Sequence, residues 1–538
     1  MHDAVAVQAP NRKPSFASLT LLVRASVPTL AEVSLAIGSA LLLVLSFPDF
    51  DLWPLAWIGI VPLLVVVARS QRASSAFLLG LLWGAIFFYG SCWWLTYAMI
   101  HYGHVPGWLA YFLLLFPVVL VAVFPALACA FVAHLVSRFG PTALFAAPFF
   151  WISFEAARYG ITGQVWNTIG YSQAFHPSLI QTARWGGVYL VGFLIFTANA
   201  AIAFSLMHRT IRSAVGSLAL LILIGVIATI PIAGRRTIPV SSIEPSTLVV
   251  AVQPNVPMEE IDSSTSRQLL DRHLELSTRA LSASSPASTS QRVVIWPESP
   301  MNFGYSRDPQ LRDFVGNFAR SNQTAVMLNS LESAPNGGSY NSAVMVNEQG
   351  QKVAQYDKIR LMPFGEYVPL PRWLPGASSV RGIVGDFTPG SSYTLMPLGA
   401  LRAGVFICVE AAHPGIARTF ANEGADVLVN ISNDGYLGPT PVMRQHLANA
   451  IFRAVENRRP LIRVTNSGIS AYVDSDGRIL DSTRGFEPTV RSWKIRREPE
   501  GQTFYMRHGD VFAYACVLIS LGIISATFMT RRKRLKDC

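Results

Sequence analysis

Hydrophobic and polar positions follow two different patterns along this chain, and the change comes near residue 240. Before that point, long apolar runs are separated by short polar loops. After it, short apolar runs alternate with amphipathic segments, until one last apolar run begins near residue 511. A run of about 18 apolar residues is long enough to cross a bilayer core about 30 Å thick as a helix. The pattern therefore predicts a membrane domain, a large domain outside the membrane and a closing membrane helix.

The apolar runs predict about eight membrane-spanning helices, seven before residue 236 and one near the C-terminal end. The second and fifth runs are short, so a count of six or seven also fits the pattern. We accordingly divide the chain into four parts. They are an N-terminal cytoplasmic segment (1 to 29), a membrane domain (30 to 236), an extracytoplasmic domain (237 to 505), and a last helix with a basic cytoplasmic tail (506 to 538). The predicted spans are 30 to 47, 54 to 69, 76 to 98, 108 to 136, 141 to 157, 187 to 207, 214 to 234 and 511 to 529.

Positive charges in the short loops predict the orientation of these helices, because cytoplasmic loops carry an excess of lysine and arginine. The loops 48 to 53 and 99 to 107 contain neither residue. The opposite ends are basic and place both termini in the cytoplasm: Arg12, Lys13, Arg24, Arg69, Arg72, Arg138, Arg209, Arg212 and the tail "RRKRLK" from Arg531. This topology explains the net charge of +11. Nucleic-acid binding is the weaker interpretation, since no basic patch with interleaved aromatic residues is evident.

The segment from 237 to 505 has the pattern of an α/β domain. Strand-like and helix-like runs alternate along about 260 residues, enough to bury a sizeable core, and no internal repeat is visible. Predicted strands begin near 246, 292, 324, 340, 401, 425 and 459, with hairpins through Gly350 and through Asp476-Gly477. Predicted helices are 262 to 283, 308 to 320, 412 to 423 and 441 to 457.

Three ionisable residues each follow a predicted strand: Glu298, Lys358 and Cys408. Strand ends of an α/β sheet converge on one rim, where such folds place their sites. A carboxylate that takes the thiol proton, a thiolate that attacks a carbonyl and an ammonium that stabilises the oxyanion form a workable acyl-transfer set. Cys408 is the only cysteine between 237 and 505. We expect the helix-like segment after it to favour the thiolate through its N-terminal dipole.

Each of these residues also has a plainer interpretation when it is taken alone. Cys408 is then a small buried hydrophobe, Glu298 a helix cap and Lys358 a solvated hairpin end. Glu366, in "LMPFGEYVP", is either a surface acid or a second acid that steadies Lys358. Spacing alone does not choose between these interpretations.

The membrane half offers fewer candidates. Glu155 is costly in lipid and is therefore a functional candidate, while a helix-end acid paired with Arg158 is an equally good interpretation. His101 and His104 have a spacing that suits a metal, but no third ligand is nearby in the sequence. We therefore predict no metal site and no cofactor.

Four ordered motifs, "IWPES", "YDKIRLMPFGEYVP", "GVFICVEAAHP" and "NISNDGYLGPTPVMRQHLANAIFRAVENRRPLIRVTNSGIS", resemble those of the nitrilase, or carbon-nitrogen hydrolase, family. With membrane spans on both sides, the series resembles the apolipoprotein N-acyltransferases within that family, over about residues 36 to 528. The resemblance implies a nitrilase-like αββα sandwich inserted before the last helix of an all-α membrane domain. It also implies a catalytic triad of Glu298, Lys358 and Cys408, with Glu366 as a supporting acid.

The resemblance further implies a reaction and a location. A phospholipid donates an acyl chain to Cys408, and the α-amine of a diacylglyceryl-modified cysteine at the N-terminus of a lipoprotein receives it. The protein is then expected in the bacterial inner membrane, with its catalytic domain on the periplasmic side. Val409 occupies a position where these enzymes commonly have an aromatic residue, and Tyr436 one where tryptophan is more usual. The resemblance therefore leaves lipid specificity open. Two rivals remain: a membrane-anchored amidase that uses water as acceptor, and a non-catalytic lipid transporter or scaffold.

Overall fold

The computed structural model describes nine stretches of the chain: 27 to 70, 72 to 163, 165 to 233, 246 to 258, 263 to 283, 291 to 335, 337 to 368, 387 to 498 and 501 to 536. The predicted N-terminal cytoplasmic segment, with its basic residues, lies almost wholly outside these stretches. The domain boundary predicted near residue 237 also lies outside them.

The described chain is helical from Leu30 to Ala233. In chain order the helices are α1 (Leu30–Leu45), α2 (Val61–Arg69), α3 (Ala73–Cys92), α4 (Leu95–His101), α5 (Gly107–Phe139), α6 (Ala147–Thr162), α7 (Ala183–His208) and α8 (Ile211–Ala233). Sequence explains several of their ends. Thr29 and Glu32 form a capping box at the start of α1, and Gly163 ends α6 in the left-handed conformation.

Three of these helices, α3, α5 and α7, are long and apolar enough to cross a membrane. Four further apolar segments of the described chain are shorter: Leu30–Leu45, Trp53–Arg69, Ile211–Ile227 and Val511–Thr527. Three predicted spans differ from the helices found. The run from 54 to 69 is a 3₁₀ turn at Trp53–Trp57 followed by α2. The run from 76 to 98 is divided into α3 and α4, and the run from 141 begins as a 3₁₀ turn before α6. The count of about eight spans therefore stays a prediction.

Helix α7 is broken near its start, and at this break the helical half contacts the rest of the chain. Gly186 and Gly187 have non-helical backbone angles, and Gly187 lies at φ 63°, where a side chain would meet the Tyr505 ring at 2.6 Å. The break frees the backbone N–H of Val188, which donates to Oε1 of Glu456 at 3.1 Å. A carboxylate from the second half thus caps the helix that restarts at Val188.

Twelve strands form two six-stranded sheets in the part of the chain from Thr247 to Ile495 that the structure describes. The first sheet has the order β12-β1-β2-β3-β4-β5 and the second β11-β10-β9-β8-β7-β6. The strands are β1 (Thr247–Gln253), β2 (Gln291–Ile295), β3 (Ala325–Ser333), β4 (Ser339–Val346), β5 (Lys352–Asp357), β6 (Leu395–Leu398), β7 (Leu401–Ile407), β8 (Val427–Ser432), β9 (Leu461–Thr465), β10 (Ala471–Val473), β11 (Ile479–Ser482) and β12 (Thr489–Ile495). The predicted strands and both hairpins are confirmed, whereas β6 and β12 were not predicted.

Helices cover the outer faces of the two sheets. They are α9 (Ser263–Ala283), α10 (Pro309–Asn322), α11 (Pro414–Asn422) and α12 (Val442–Asn457), followed by α13 (Phe504–His508) and the closing apolar helix α14 (Val511–Lys536). Alternation along β1 shows the layering, because successive side chains of a strand point to opposite faces. Val249 and Ala251 share a core with the second sheet, whereas Val250 and Val252 pack with residues of α9 and α10. The domain is thus built as helix, sheet, sheet, helix.

Candidate active site

Three of the predicted site residues meet beyond the ends of β2 and β5. Strand β2 ends just before Pro297, so Glu298 lies beyond the sheet. Lys358 is the first residue after β5. The Lys358 ammonium lies 2.9 Å from Oε1 of Glu366 and 3.5 Å from Oε1 of Glu298. Its side chain is only 1% exposed. Lys358 is therefore held between two carboxylates, and the surface interpretations of Lys358 and Glu366 are wrong.

Asn341, on β4, is a site residue that the sequence reasoning missed. Its Nδ2 donates to Oε1 of Glu298 at 2.8 Å and to Oε1 of Glu366 at 2.7 Å. Its backbone carbonyl accepts from the Lys358 N–H at 2.8 Å. One amide thus spaces the two acids around the ammonium. The sequence feature that could have identified Asn341 is its position in the predicted hairpin whose other arm ends at Lys358.

Opposing influences act on the charge of Lys358. Burial lowers the pKa of its ammonium, but the Glu298 and Glu366 carboxylates raise it, and the net shift is upward. Lys358 therefore stays protonated at neutral pH. A fixed positive charge in a nearly dry site suits the stabilisation of an oxyanion and does not suit a general base.

Cys408 follows β7 directly and lies in the left-handed region, with φ at 52°. Few residues with a side chain adopt this conformation, which turns the chain sharply at the end of the strand. The Cys408 side chain keeps part of its surface exposed. The thiol therefore stands at the rim where β2 and β5 also end, close enough for the charges of Glu298 and Lys358 to act on its pKa.

The helix-like segment after Cys408 is divided in two. Cys408–Ala412 is a 3₁₀ helix of five residues, too short to sum a large dipole, and α11 begins only at Pro414. The effect of a helix dipole on the thiolate stays a prediction. Burial raises the pKa of the Cys408 thiol to about 12, the Glu298 carboxylate adds to that shift, and only Lys358 opposes it. The resting cysteine is a neutral thiol, so a base must remove its proton during the reaction.

Glu410 joins the segments that carry Lys358 and Cys408. Its buried carboxylate accepts hydrogen bonds from the backbone N–H groups of Ile359, Arg360 and Ile407, at 2.8 to 3.0 Å, and from the Tyr356 hydroxyl at 2.9 Å. Burial raises the pKa of Glu410 to about 7, against these donors. The acid two residues after the cysteine thus fixes the backbone on both sides of the site.

The two departures from the family pattern have different surroundings. Val409 is buried beneath the site. Tyr436 is 40% exposed and stacks on Tyr102 of the helical half, with ring centroids 5.3 Å apart. The Tyr102 hydroxyl also donates to the Gly435 carbonyl at 3.3 Å. Tyr436 therefore lies where the catalytic domain meets the helical half.

Glu155 and Arg158 are both buried in α6, and both hold the loop that follows it. Oε1 of Glu155 accepts from the Ile169 N–H at 3.4 Å. Arg158 donates to the Trp166 carbonyl and to the Thr168 hydroxyl, each at 3.0 Å. The two residues organise a loop that contacts the catalytic domain, since the Trp166 indole N–H donates to Gln445 at 2.9 Å.

Comparison with known families agrees with both halves of this architecture. Residues 39–201 match the family model described as the apolipoprotein N-acyltransferase N-terminal domain, and residues 248–503 match the carbon-nitrogen hydrolase model. Among solved structures, the Nit3 protein of Saccharomyces cerevisiae, a nitrilase-superfamily member, is similar at 18% identity and a TM-score of 0.36, covering 47% of this chain and 90% of that one. The amidase from Nesterenkonia sp. is similar at 17% identity and a TM-score of 0.37, covering 51% and 96%.

Several relatives are similar to this chain over nearly its whole length, and they are named apolipoprotein N-acyltransferase. The apolipoprotein N-acyltransferase of Geobacter metallireducens is 33% identical over 93% of this chain and 96% of its own length. The proteins of that name from Chlorobaculum tepidum and Haemophilus influenzae are 28% and 29% identical, covering 92% and 93% of this chain and 96% and 95% of their own lengths. With both domain models matched in order and a relative this similar from end to end, the chain belongs to the apolipoprotein N-acyltransferase family.

Proposed function

We propose that this protein moves a fatty acyl chain from a phospholipid, through a thioester on Cys408, to the α-amine of a diacylglyceryl-cysteine at the N-terminus of a lipoprotein. The observation that carries the proposal is the buried cluster of Glu298, Lys358 and Glu366 beside a cysteine that ends a strand. It supplies a base, a fixed cation and a nucleophile in one place. Family membership supports acyl transfer to a lipoprotein as the reaction.

In the first half of the reaction, the Glu298 carboxylate removes the proton of Cys408, and the sulfur attacks the ester carbonyl carbon of the phospholipid. The Lys358 ammonium stabilises the oxyanion that forms. The ester C–O bond then breaks, and Glu298 returns the proton to the leaving glycerol oxygen. A lysophospholipid departs, and the acyl chain stays on Cys408 as a thioester.

In the second half, the amine of the lipoprotein attacks the thioester carbonyl. Glu298 takes a proton from the attacking nitrogen, and Lys358 again faces the oxyanion. The C–S bond breaks, the sulfur recovers the proton and an amide is released. One site therefore serves two lipid substrates in turn, and the kinetics are expected to be ping-pong.

The proposal includes the finer membrane arrangement: about eight spans, the catalytic domain inserted before the last of them, and a periplasmic site in the bacterial inner membrane. It is supported by the alternation of basic loops and by apolar helices on both sides of the catalytic domain. A reporter active only in the cytoplasm, fused near residue 290, is expected to be silent. An active fusion contradicts the placement.

Mass spectrometry tests the reaction itself. Protein incubated with phospholipid and without acceptor is expected to gain the mass of one acyl chain and to lose it on hydroxylamine treatment. Adding a diacylated lipopeptide is expected to give N-acylated product. Cys408→Ala is expected to show neither adduct nor transfer; a normal adduct on this variant refutes the thioester. Hydrolysis of small amides without lipid, in place of transfer, favours the amidase alternative.

A further inference from the structure

The backbone carbonyl of Cys408 is held from below by two side chains. Nε2 of His446 lies 2.9 Å from the carbonyl oxygen, and Nδ2 of Asn430 lies 3.4 Å from it. A carbonyl oxygen only accepts hydrogen bonds, so Nε2 of His446 is the donor. His446 and Asn430 come from different elements, α12 and β8, and both are buried.

Asn430 and His446 are both connected to one buried arginine, Arg463, through hydrogen bonds. Nη1 of Arg463, on β9, donates to the Asn430 side-chain oxygen. Nη2 of Arg463 donates to both carboxylate oxygens of Asp434, at 2.9 and 2.8 Å. Oδ1 of Asp434 in turn lies 2.9 Å from Nδ1 of His446. Burial alone raises the pKa of Asp434, but the Arg463 guanidinium beside it holds that pKa well below its usual range, so Asp434 is a carboxylate.

These contacts act on a residue whose backbone is held in the left-handed region. A non-glycine residue at a φ of 52° persists there only where its surroundings hold it. Without the hydrogen bond to its carbonyl, Cys408 is free to relax and its sulfur moves away from Glu298. A shift of about 1 Å at a reacting group lowers a rate by about 10²-fold.

The residue next to His446 is held by the helical half of the chain. Oε1 of Gln445 accepts from the indole N–H groups of Trp94 and Trp166, at 3.1 and 2.9 Å. Its Nε2 donates to the backbone carbonyls of Ser91 at 2.9 Å and Pro48 at 3.4 Å. Four contacts from separate membrane segments therefore fix the first turn of α12 at the point where it reaches the nucleophile.

We propose that His446 is a positioning residue for the acyl-transfer reaction: it holds the Cys408 carbonyl, is oriented by Asp434 and Arg463, and is kept in place by the membrane contacts of Gln445. This inference rests on the proposed function of Cys408. It gives the helical half a task in the reaction, because the geometry of the nucleophile depends on its contacts with Gln445.

A pair of nearly isosteric variants separates this role from mere packing. In His446→Gln, the side-chain NH₂ reaches the place of Nε2 and keeps the donor to the Cys408 carbonyl. In His446→Asn, the NH₂ reaches only the place of Nδ1, so the contact with Asp434 is kept and the Cys408 carbonyl loses its closer donor, while Asn430 stays in place. The rate of acyl-enzyme formation from phospholipid is expected to fall about 10²-fold in the Asn variant and to be largely restored in the Gln variant.

Two further measurements decide the outcome. The rate of alkylation of Cys408 by iodoacetamide, followed on the Cys408 peptide by mass spectrometry, needs no lipid and is expected to differ between the Asn and Gln variants in the same sense. Thermal midpoints in detergent are expected to be similar for the two. Equal rates in the two variants, whether both normal or both reduced, overturn the inference. If the wild type forms no acyl adduct, the proposed function fails, and alkylation alone still decides the role of His446.

The link to the membrane half has its own control. Gln445→Leu removes the four hydrogen bonds that hold the first turn of α12, and acyl-enzyme formation is expected to slow about tenfold. Asn457→Leu, in the last turn of the same helix, removes a buried hydrogen bond to the Arg453 carbonyl and is expected to leave that rate unchanged. Equal slowing in both variants shows a general effect of α12 stability and overturns the link.

Discussion

The two sheets of the catalytic domain have the same strand order and use it differently. Read from β12 to β5 and from β6 to β11, successive neighbours pair antiparallel, parallel, parallel, antiparallel and antiparallel in both. In this correspondence β1 matches β7, and each is followed by a residue with positive φ, Asn255 at 50° and Cys408 at 52°. Strand β2 matches β8, and an acid follows each: Glu298 and Asp434.

The equivalent acids show what the two sheets contribute. Glu298 contacts the Lys358 ammonium and keeps part of its side chain exposed. Asp434 is buried against Arg463 and reaches the Cys408 carbonyl through His446. In the proposed mechanism, the first sheet therefore supplies the charges of the reaction, and the second supplies the nucleophile and the framework that holds it. Loss of a first-sheet charge should affect chemistry, and loss of a second-sheet charge should affect stability and geometry together.

The largest effect is expected in the second sheet. Arg463→Met leaves the Asp434 carboxylate buried without its main partner, which costs about 3 to 5 kcal/mol of the free energy of unfolding. The measurement is the thermal midpoint in detergent. Arg463→Met combined with Asp434→Leu removes both charges and is expected to regain most of the midpoint but not the acylation rate. A double variant with normal acylation contradicts the division between the sheets.

Charges of the first sheet come next. Glu298→Gln and Lys358→Ala are each expected to lower acyl-enzyme formation by about 10² to 10³-fold, because one removes the base and the other a partner of the oxyanion. Circular dichroism and the thermal midpoint are expected to change much less than in Arg463→Met. Near-normal turnover in either variant means that the role assigned to that residue is wrong.

Much of this site was predictable from the sequence, and the rest was not for identifiable physical reasons. Glu298 and Cys408 each follow a strand with a strong apolar pattern, Lys358 follows the second arm of a predicted hairpin, and the family motifs added Glu366. Asp434 and Arg463 lie 29 residues apart and meet only because β8 and β9 pair with Ser432 opposite Thr465. No local sequence pattern encodes that register. The contact between Asp434 and Arg463 could therefore not be predicted, although both residues lie within one of the quoted motifs.

Two strands escaped prediction for a similar reason. β6 is only four residues long and contains Pro397, so its pattern is too short to recognise. β12 is an edge strand whose exposed side carries the polar residues Ser492 and Lys494. Both are edge strands at equivalent places in the two sheets, β6 beside β7 and β12 beside β1. The repeated strand order becomes visible only when both are present, which explains why the sequence shows no repeat.

A smaller effect is expected from Asn341, which spaces the two acids of the first sheet. Asn341→Ala removes the amide that donates to Glu298 and Glu366 and leaves their carboxylates to rearrange around Lys358. Acyl-enzyme formation is expected to fall about tenfold, the value of one to two hydrogen bonds. Asn347→Ala, in the turn of the same hairpin, is the matched control, since the Asn347 side chain accepts from the Gln349 and Gln351 N–H groups, far along the hairpin from both acids. A loss as large in the control shows that packing of the hairpin, and not the shared donor, is responsible.

The smallest effect is expected at a contact between the second sheet and the helical half that lies away from the Cys408 carbonyl. Arg184 pairs with Asp476, in the turn between β10 and β11, at 2.5 Å, and both side chains are partly exposed. Such a pair contributes about 1 kcal/mol or less, since water competes for both charges, and Gln181 still holds the same turn through the Asp476 carbonyl at 2.8 Å. Arg184→Ala is therefore expected to change the thermal midpoint slightly and the acylation rate not at all. A rate loss comparable to that of Gln445→Leu means that the helical half acts on the nucleophile through the whole interface with the second sheet, and not through the first turn of α12.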